Sequence, residues 1–237
     1  MGWHRFFPLG YPVELVNTHE SVIAAARLLW DRYPKMFDVP AVEFHDVDAH
    51  QDLKALVLTE LDRRYFAPIH AACVQLRDRG VVLMGDSGAG TSTLAYACVR
   101  AGWTLVSDDS SHIAPDLTLV ASAQPQNLRP DVAQFFPELA GCPTITHANG
   151  KVALQVPEPV GRKLTSTVAA CVFLHRGDTT SLARCDISQG LHYTGRYFPF
   201  SPESWHLERL AALFEGRLWT LTYANLDQAE ARLRDLV

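Results

Sequence analysis

The sequence of 237 residues contains no run of lysine or arginine, and its formal net charge at pH 7 is -5. Because it has no basic cluster, it lacks the electrostatic footprint of a protein that binds nucleic acid or an anionic membrane surface. No stretch reaches the roughly 18 apolar residues that a membrane-spanning helix needs. We therefore expect neither nucleic acid nor a membrane as a partner, and favour a small molecule or another protein.

Cysteine pairs of the C-x-x-C type are also absent, and the apolar N-terminus is broken by prolines and glycine, which makes a poor signal-peptide core. The expected compartment is therefore the cytoplasm. An odd number of widely spaced cysteines predicts reduced, mostly packed thiols rather than a disulfide framework or a zinc site. The five are Cys73, Cys98, Cys142, Cys171 and Cys185.

Apolar residues make up 48% of the chain and charged residues 20%, as in a typical soluble globular protein. The length predicts one sizeable core rather than two large independent domains. Apolar positions at helical spacing predict a helix that begins within residues 17–21 and ends before Pro34. Residues 41–45 alternate like a half-buried strand, whereas residues 53–61 fit either a strand or a short helix.

From residue 70 onward the pattern predicts a hairpin, a glycine-rich loop, a helix and another strand. The predicted elements are strands at 70–76 and 80–84 joined by a turn, a helix at 92–101 and a strand at 103–106. Residues 115–143, rich in proline and polar side chains, predict loops around a short helix near residues 132–139. Farther along we expect a buried strand at 168–174 and helices at 203–215 and 226–236.

The glycine-rich loop matches the P-loop template G-x-x-x-x-G-K-[ST] at every defined position except the lysine. Glycines let the backbone curl and aim its N–H groups inward, and the following helix adds its N-terminal partial positive charge. The loop is therefore predicted to bind the phosphates of ATP, or of another phosphate donor such as pyrophosphate. Its residues are Gly85, Asp86, Ser87, Gly88, Ala89, Gly90, Thr91, Ser92 and Thr93.

The residue in the lysine position is Thr91, which offers a hydroxyl and no charge. In ordinary P-loops the lysine reaches the outer phosphates, and the following Ser or Thr ligates magnesium. Ser92 keeps that metal position here. A glycine-rich turn between a strand and a helix can be merely structural, but the buried strand before it and the paired aspartates beyond the helix favour a phosphate site.

Asp108 and Asp109 follow the strand at 103–106, at the carboxyl end of a strand, where open α/β sheets place their ligand sites. One carboxylate can hold magnesium, and the other can orient or accept the proton of an attacking hydroxyl. The alternative is a solvated acidic turn that caps the next segment. Proximity to the glycine-rich loop favours the chemical interpretation.

The segment from His70 to Asp109 resembles the catalytic core of the HPr kinase/phosphorylase family. The features that it shares are a histidine that opens a strand, a GDSGxGxS loop, a helix that ends in Arg100-x-Gly102, and a strand that closes on two aspartates. The resemblance implies a P-loop serine kinase, related in fold to phosphoenolpyruvate carboxykinase, that uses ATP and Mg²⁺ to phosphorylate a serine hydroxyl on a protein or peptide.

On this resemblance Ser92 and one aspartate, with Asp108 as the candidate, hold the metal. The other aspartate acts as base with assistance from His70, and both Asp108 and Asp109 stay candidates for that role. The implied fold is an α/β P-loop kinase core, a twisted mixed sheet flanked by helices. We expect it to occupy residues 69–237, with residues 1–68 as an integrated N-terminal appendage, and the family's oligomers suggest a homo-oligomer.

The chain departs from the family pattern at Thr91, in its short N-terminal part, and in lacking a second signature after the aspartates. The N-terminal part is more similar to compact HPr-kinase-related proteins, including those that modify peptide products, which argues against HPr as the acceptor. Two functions stay open: a kinase in which Thr91 is natural or replaces a parental lysine, and a pseudokinase or nucleotide-binding scaffold without catalysis. In a third interpretation the loop is only a turn of an interaction domain.

Several arginines are candidates for neutralising phosphate charge, and Arg129, in a loop-rich stretch beside a proline, ranks first among them. The candidates are Arg129, Arg162, Arg176, Arg184 and Arg196.

Overall fold

A computed structural model describes residues 2–49, 52–122, 125–146, 150–157 and 162–237. The chain divides into two compact units, Met1–Phe66 and Ala67–Val237. All the candidate site residues belong to the second unit.

The first unit contains a three-stranded sheet and two helices. Strand β2 pairs antiparallel with β1 and parallel with β3. The expected first helix is confirmed, and the ambiguous segment at residues 53–61 is helical, whereas the first two strands were not predicted. The elements are β1 (Trp3–Phe6), a 3-10 turn (Pro8–Gly10), β2 (Val13–Val16), α1 (Glu20–Trp30), β3 (Val42–His45) and α2 (Leu53–Arg64).

The second unit is built from strands and helices that alternate irregularly. Its strands are β4 (Ala67–Ile69), β5 (Ala72–Leu76), β6 (Arg79–Met84), β7 (Thr104–Ser107), β8 (Ser111–Ile113), β9 (Thr118–Ala121), β10 (Asn127–Leu128), β11 (Thr144–Thr146), β12 (Val152–Gln155), β13 (Thr165–Arg176), β14 (Ser181–Arg184) and β15 (Leu218–Tyr223). Its helices are α3 (Thr91–Arg100), α4 (Ile187–Gly195), α5 (Ser204–Phe214) and α6 (Leu226–Arg234).

Within the described part of this unit, nine strands form one mixed sheet. The order β4-β8-β9-β13-β6-β5-β7 runs through β13, whose second half also pairs with β15, and β15 in turn pairs with β14. Strands β6 and β15 both run parallel to β13. A separate small sheet has the order β10-β12-β11. The carboxyl ends of β6, β13 and β15 therefore lie along the same edge.

Helices cover both faces of the large sheet, as the side-chain alternation of β6 demonstrates. Val81 and Leu83 pack in a core cluster with residues of α3 and α6, whereas Val82 and Met84 pack in a second cluster with residues of α4 and α5. Successive side chains of a strand point to opposite faces, so an uninterrupted apolar run fits a strand that is buried on both sides. The predicted α/β architecture, a mixed sheet flanked by helices, is confirmed.

The predicted hairpin is also confirmed, since β5 and β6 pair antiparallel. Its turn residues Arg77 and Asp78 have φ values of 49° and 63°, as a tight hairpin turn with two left-handed residues requires. The expected helices at 92–101, 203–215 and 226–236 correspond to α3, α5 and α6, and the strand at 103–106 to β7. The strand expected at 168–174 is longer, because β13 spans Thr165–Arg176.

The prediction for residues 115–143 was partly wrong. This segment contains β9 and β10, and the expected short helix is two 3-10 turns, Pro130–Gln134 and Pro137–Leu139. Each turn begins at a proline, which fits a first helical position but cannot donate a backbone hydrogen bond. Strand β9 is only four residues long and is held by pairing with β8 and β13, which a local pattern does not reveal.

Two glycines of α4 provide a paired test of how tightly this helix packs. A Cβ added at Gly190 would lie 2.7 Å from Cδ2 of the fully buried Phe214, whereas a Cβ at Gly195 would meet nothing within 4 Å. We expect Gly190→Ala to lower the free energy of unfolding by about 1–3 kcal/mol through overpacking. Gly195→Ala is expected to be neutral or stabilising by up to about 1 kcal/mol. Urea unfolding of both variants checks this, and equal effects would contradict the close packing of α4.

Candidate functional site

Strand directions bring the predicted site residues to one edge of the large sheet. Strand β5 runs antiparallel to β6 and also to β7, so β5 begins where the other two end. Cys73 of β5 lies opposite Ser107, the last residue of β7. His70 precedes β5, Gly85 follows β6 and Asp108 follows β7, and the three positions therefore meet.

The glycine-rich loop connects β6 to α3 and depends on its glycines at three positions. Gly88 and Gly90 have φ values of 91° and 93°, in the left-handed region that other residues rarely adopt. A Cβ at Gly85 would lie 2.6 Å from the Cβ of Ala89, because the loop curls back on itself. Gly90 is the N-cap of α3, so the N-terminus of that helix opens at the end of the loop.

A cavity of about 190 Å³ lies over the loop and the first turn of α3. Backbone N–H groups at a helix N-terminus favour anions, and phosphate oxygens fit them best. The loop side of the cavity is formed by Gly88, Gly90, Thr91, Ser92 and Thr93. The opposite side includes Asn127, Arg129, Asp131, Phe135 and Arg176.

Of the remaining loop residues, Asp86 and Ser87 are exposed and lie outside this cavity. The Asp86 carboxylate accepts a hydrogen bond from Nη2 of Arg196 at 2.7 Å. Tyr197 Oη lies 3.4 Å from the same carboxylate oxygen. Asp86 is therefore engaged in holding the outside of the loop.

Asp108 is buried and has one carboxylate oxygen without a hydrogen-bond partner. Its Oδ2 accepts the backbone N–H of Asn127 at 2.7 Å, while Oδ1 is enclosed and unpaired. Burial raises the pKa of this carboxyl, and the Asn127 N–H and the Ser92 hydroxyl oppose that shift. A buried carboxylate oxygen with a free lone pair beside a serine hydroxyl is a set of hard oxygen donors that fits Mg²⁺.

Asp109 points into a more open environment and lies beside His70. Their side chains are 53% and 44% exposed, and Nδ1 of His70 is 3.4 Å from the Asp109 carboxylate and 3.1 Å from its backbone oxygen. The His70 ring also packs on Tyr197, with 4.9 Å between ring centroids. The two neighbouring aspartates thus differ sharply, one buried and one accessible to solvent.

A small cavity of about 10 Å³ joins these groups. Its lining consists of His70, Ala71, Gly85, Thr91, Asp108, Asp109 and Tyr193. Thr91 borders this cavity and also the larger one over the loop. The residue that replaces the P-loop lysine therefore lies between the phosphate-sized cavity and the two aspartates.

Tyr193 of α4 is a site residue that the sequence analysis missed. Its Oη accepts the backbone N–H of Gly85 at 3.2 Å and lies 3.0 Å and 3.1 Å from the carbonyl oxygens of Gly85 and His70. Burial raises the pKa of this phenol to about 12, so it stays a neutral donor. Helix α4 carries Gly190 in its middle, which hides its helical pattern, although Asp186 caps it through the N–H of Ser188.

Tyr223, at the end of β15, is a second missed residue and braces the other part of the loop. Its Oη donates to the carbonyl oxygen of Ala89 at 2.7 Å. Residues 218–223 are rich in aromatic and β-branched side chains, which favour a strand, so their composition was sufficient to predict this one.

The five candidate arginines occupy different places. Arg129 and Arg176 line the cavity over the loop. Arg162 is half-buried, and its positive charge acts to lower the pKa of Asp108. Its guanidinium donates to the carbonyl oxygens of Val106 and Ser122. Arg196 holds Asp86, as described. Arg184 lies over the Trp219 ring and donates to the carbonyl oxygen of Gly216, away from the loop.

Two further properties concern the described ranges alone. No three His, Cys, Asp or Glu side chains in them gather closely enough to hold a metal ion by themselves. Their helices include none with the length and apolar character needed to cross a membrane. Of the five thiols, Cys73, Cys98 and Cys171 are buried, and Cys142 and Cys185 are partly exposed.

The fold and the loop are those of an α/β protein with a phosphate-loop-like turn between a strand and a helix. The chain is 36% identical over 75 residues to an HPr kinase/phosphorylase of Lachnoclostridium phytofermentans, a match that covers 31% of this chain and 22% of that protein. The chain thus spans about a fifth of the length of the curated relative it matches. This match confirms the resemblance to HPr kinase/phosphorylases within the aligned segment.

Among solved structures, the Hpr(Ser) kinase/phosphatase of Coxiella burnetii aligns with a TM-score of 0.36 at 13% identity, over 71% of this chain and 96% of that chain. No protein-family model matches the chain.

The hydroxyl of Tyr193 provides a test of how the loop is held. We expect Tyr193→Phe to lower the free energy of unfolding by about 1–3 kcal/mol, because the Gly85 N–H and two carbonyls lose a partner. Tyr197→Phe, which removes only an exposed 3.4 Å contact, is expected to change it by less than about 0.5 kcal/mol. Urea unfolding and hydrogen exchange of the Gly85 amide measure both effects. Unchanged exchange in Tyr193→Phe would contradict the bracing role.

Proposed function

We propose that the unit Ala67–Val237 binds MgATP at the glycine-rich loop and transfers a phosphoryl group to a serine hydroxyl of a protein or peptide. The observation that carries the proposal is the buried Asp108, whose carboxyl keeps one oxygen without a hydrogen-bond partner and interacts with the Ser92 hydroxyl at the end of a curled phosphate loop. A desolvated carboxylate oxygen left unpaired is costly unless a cation or donor satisfies it.

In this proposal the loop backbone and the N-terminus of α3 bind the phosphates, and Ser92 with Asp108 holds magnesium. The bound ion would neutralise charge on the phosphates during transfer. Asp108 suits this role better than Asp109, because it is buried, keeps one unpaired oxygen and interacts with the Ser92 hydroxyl. Of the loop, Gly88 and residues 90–93, which line the cavity, thus act in binding rather than in proton transfer.

Asp109 and His70 are proposed to act on the acceptor. Asp109 is half-exposed and can accept the proton of a serine hydroxyl, while Nδ1 of His70, 3.4 Å away, orients its carboxylate. A proton acceptor must be reachable by a macromolecular substrate, which the exposure of both side chains allows. This division assigns each aspartate one role that the sequence left open.

A groove of about 530 Å³ next to the phosphate cavity is the proposed nucleoside site. The two cavities share Phe135 and Arg176, and the groove also includes Phe136, Arg100 and Asn225. Aromatic rings and a few polar groups are the usual lining of a nucleoside pocket. The groove therefore favours a nucleotide donor over pyrophosphate.

Thr91 supports a second candidate function, a nucleotide-binding module without catalysis, because it offers no charge at the P-loop lysine position.

We expect wild type and Thr91→Lys both to bind MgATP by calorimetry, because the backbone loop and Asp108 are common to both. Transfer is measured from γ-labelled ATP to HPr and to a degenerate serine peptide library, with a serine-free library as control. Transfer by wild type supports a kinase that tolerates Thr91.

Transfer by the lysine variant alone would make the chain with Thr91 a binding module. If both proteins transfer phosphate, we expect the lysine variant to be faster by about 10²–10³-fold, the size of a lost charge-stabilising interaction. Binding of MgATP by neither protein would overturn the proposed function and leave the loop as a structural turn.

We expect substitution of the two aspartates to impair different steps, nucleotide binding in one case and phosphoryl transfer in the other. Asp109→Asn should bind MgATP as wild type does but transfer about 10²–10⁴-fold more slowly, since it loses the proton acceptor. Asp108→Asn should lose the magnesium-dependent part of ATP binding. Both are compared with Asp235→Asn, an exposed aspartate at the end of α6, in whichever background transfers phosphate. The opposite pattern in the two variants would reverse the assigned roles.

A further inference from the structure

The phosphate cavity lacks the lysine charge of an ordinary P-loop, so the cations that face it become decisive. Arg129 and Arg176 line it. Arg129 is paired with a carboxylate, since its Nη2 lies 2.8 Å from Oδ2 of Asp131, and its side chain is 73% exposed. Its charge is therefore largely compensated before any phosphate arrives.

Arg176 differs because its guanidinium lies directly on the loop. It is the last residue of β13, and its Nη2 is 2.8 Å from where a Cβ on Gly90 would be. Its Cζ lies 4.4 Å from the centroid of the Tyr223 ring, and Tyr223 in turn donates to the Ala89 carbonyl. Arg176 is an exposed residue whose guanidinium lies between an aromatic face and the P-loop backbone.

Among the residues that the structure describes, Arg176 has no carboxylate partner. Across the described ranges, no Asp or Glu carboxylate forms an ion pair with it, whereas Arg129 and Arg196 each have one. A planar guanidinium offers several N–H donors in a fixed geometry that matches phosphate oxygens, and it stacks readily on aromatic rings. An arginine without a carboxylate partner that lines a phosphate-sized cavity is therefore suited to an anion.

We propose that Arg176 is a phosphate-binding residue of this chain, and that it supplies from the end of β13 the positive charge that P-loops ordinarily take from the lysine at the position of Thr91. This inference rests on the proposed function, because it assigns a contact in the same nucleotide site. In this inference the cation has moved from the first residue of α3 to the last residue of β13.

Thr91 and Arg176 line the same cavity, which gives the inference a distinctive consequence. If both positions serve the same phosphates, a lysine at residue 91 adds little affinity for them while Arg176 is present and much when Arg176 is absent. The effects of the two substitutions will then not add, as expected for residues that share a partner.

The first test compares the affinities of wild type, Arg176→Ala and Arg176→Lys for MgATP and for magnesium tripolyphosphate by calorimetry. We expect Arg176→Ala to weaken both ligands by the same factor, about 10–100-fold, the usual size of a charge-assisted hydrogen bond. Arg176→Lys should lose less, because the charge remains. Equal losses for both ligands locate the effect at the phosphates rather than at the nucleoside.

The matched control is Arg184→Ala, since Arg184 also lies over an aromatic ring at a strand but far from the loop. It should bind both ligands as wild type does. Thermal melting of every variant separates lost binding from lost folding, and Arg176→Gln, which keeps most of the side chain, replaces the alanine variant if that one unfolds.

The second test adds Thr91→Lys to wild type and to Arg176→Ala. We expect the lysine to restore most of the affinity in the alanine background. In the wild-type background it should change the affinity by less than about threefold, which is smaller than the effect of a new charge contact. An equal gain in affinity in both backgrounds would mean that the two residues act independently. That result would overturn the inference that Arg176 takes the place of the lysine.

The outcomes separate this inference from the proposed function. Folded Arg176→Ala that binds both ligands as tightly as wild type overturns the role of Arg176 and leaves the kinase proposal intact. The predicted dependence on Arg176 without any phosphate transfer leaves the inference intact and overturns the kinase proposal. Absence of binding by wild type to either ligand overturns both.

Discussion

Strand β13 is hydrogen-bonded to β6 along one side and to β15 along the other, and both pairings are parallel. Phe173 of β13 lies opposite Met84, and Arg176 lies opposite Tyr223. This register sets the carboxyl ends of three strands side by side, so the loop after β6 meets the last residues of the other two. The contacts of Arg176 and Tyr223 with the loop follow from that alignment.

Two phenol groups turn this alignment into a defined loop shape. Tyr193 bonds the beginning of the loop at Gly85, and Tyr223 bonds Ala89 four residues farther along. They come from opposite layers of the unit, since Tyr193 belongs to the core cluster of α4 and α5 and Tyr223 to that of α3 and α6. A glycine-rich segment has high conformational entropy when unfolded. Fixing both ends reduces the freedom that phosphate binding would otherwise have to restrict.

Local features of the site were predictable from the sequence because they are contiguous. The strand, loop and helix around residues 80–101 follow from apolar periodicity and from glycines whose spacing is meaningful only in a curled backbone. The proximity of His70 to Asp109 followed from the family resemblance. The environments of Asp108 and Asp109 did not, since adjacent carboxylates look identical in sequence while their burial depends on the segment around Asn127.

Residues from distant parts of the chain were harder to find, for a physical reason. Arg176, Tyr193 and Tyr223 act at the loop through the pairing of β13 and β15 and through the packing of α4, which are long-range contacts. Arg129 ranked first among the arginines on local grounds, although Asp131, which pairs with it, lies only two residues farther along the chain. The pairing of Arg196 with Asp86, by contrast, joins residues that are distant in sequence and is visible only in three dimensions.

The distribution of compensated and uncompensated charge at the loop carries the chemistry further. Asp86 is paired with Arg196, and Arg129 with Asp131, so these four groups cancel in pairs. Arg176 lacks an ion-pair partner in the described part of the chain, and Asp108 keeps one buried oxygen without a hydrogen bond there. One cation thus faces the phosphate cavity and one carboxylate faces Ser92. A ligand that carries phosphate together with a divalent cation complements both Arg176 and Asp108. A simple anion would leave Asp108 without a partner, and a cation alone would leave Arg176 without one. The residue between them, Thr91, is neutral, and a lysine there would have added charge where Asp108 and Arg176 already supply both signs.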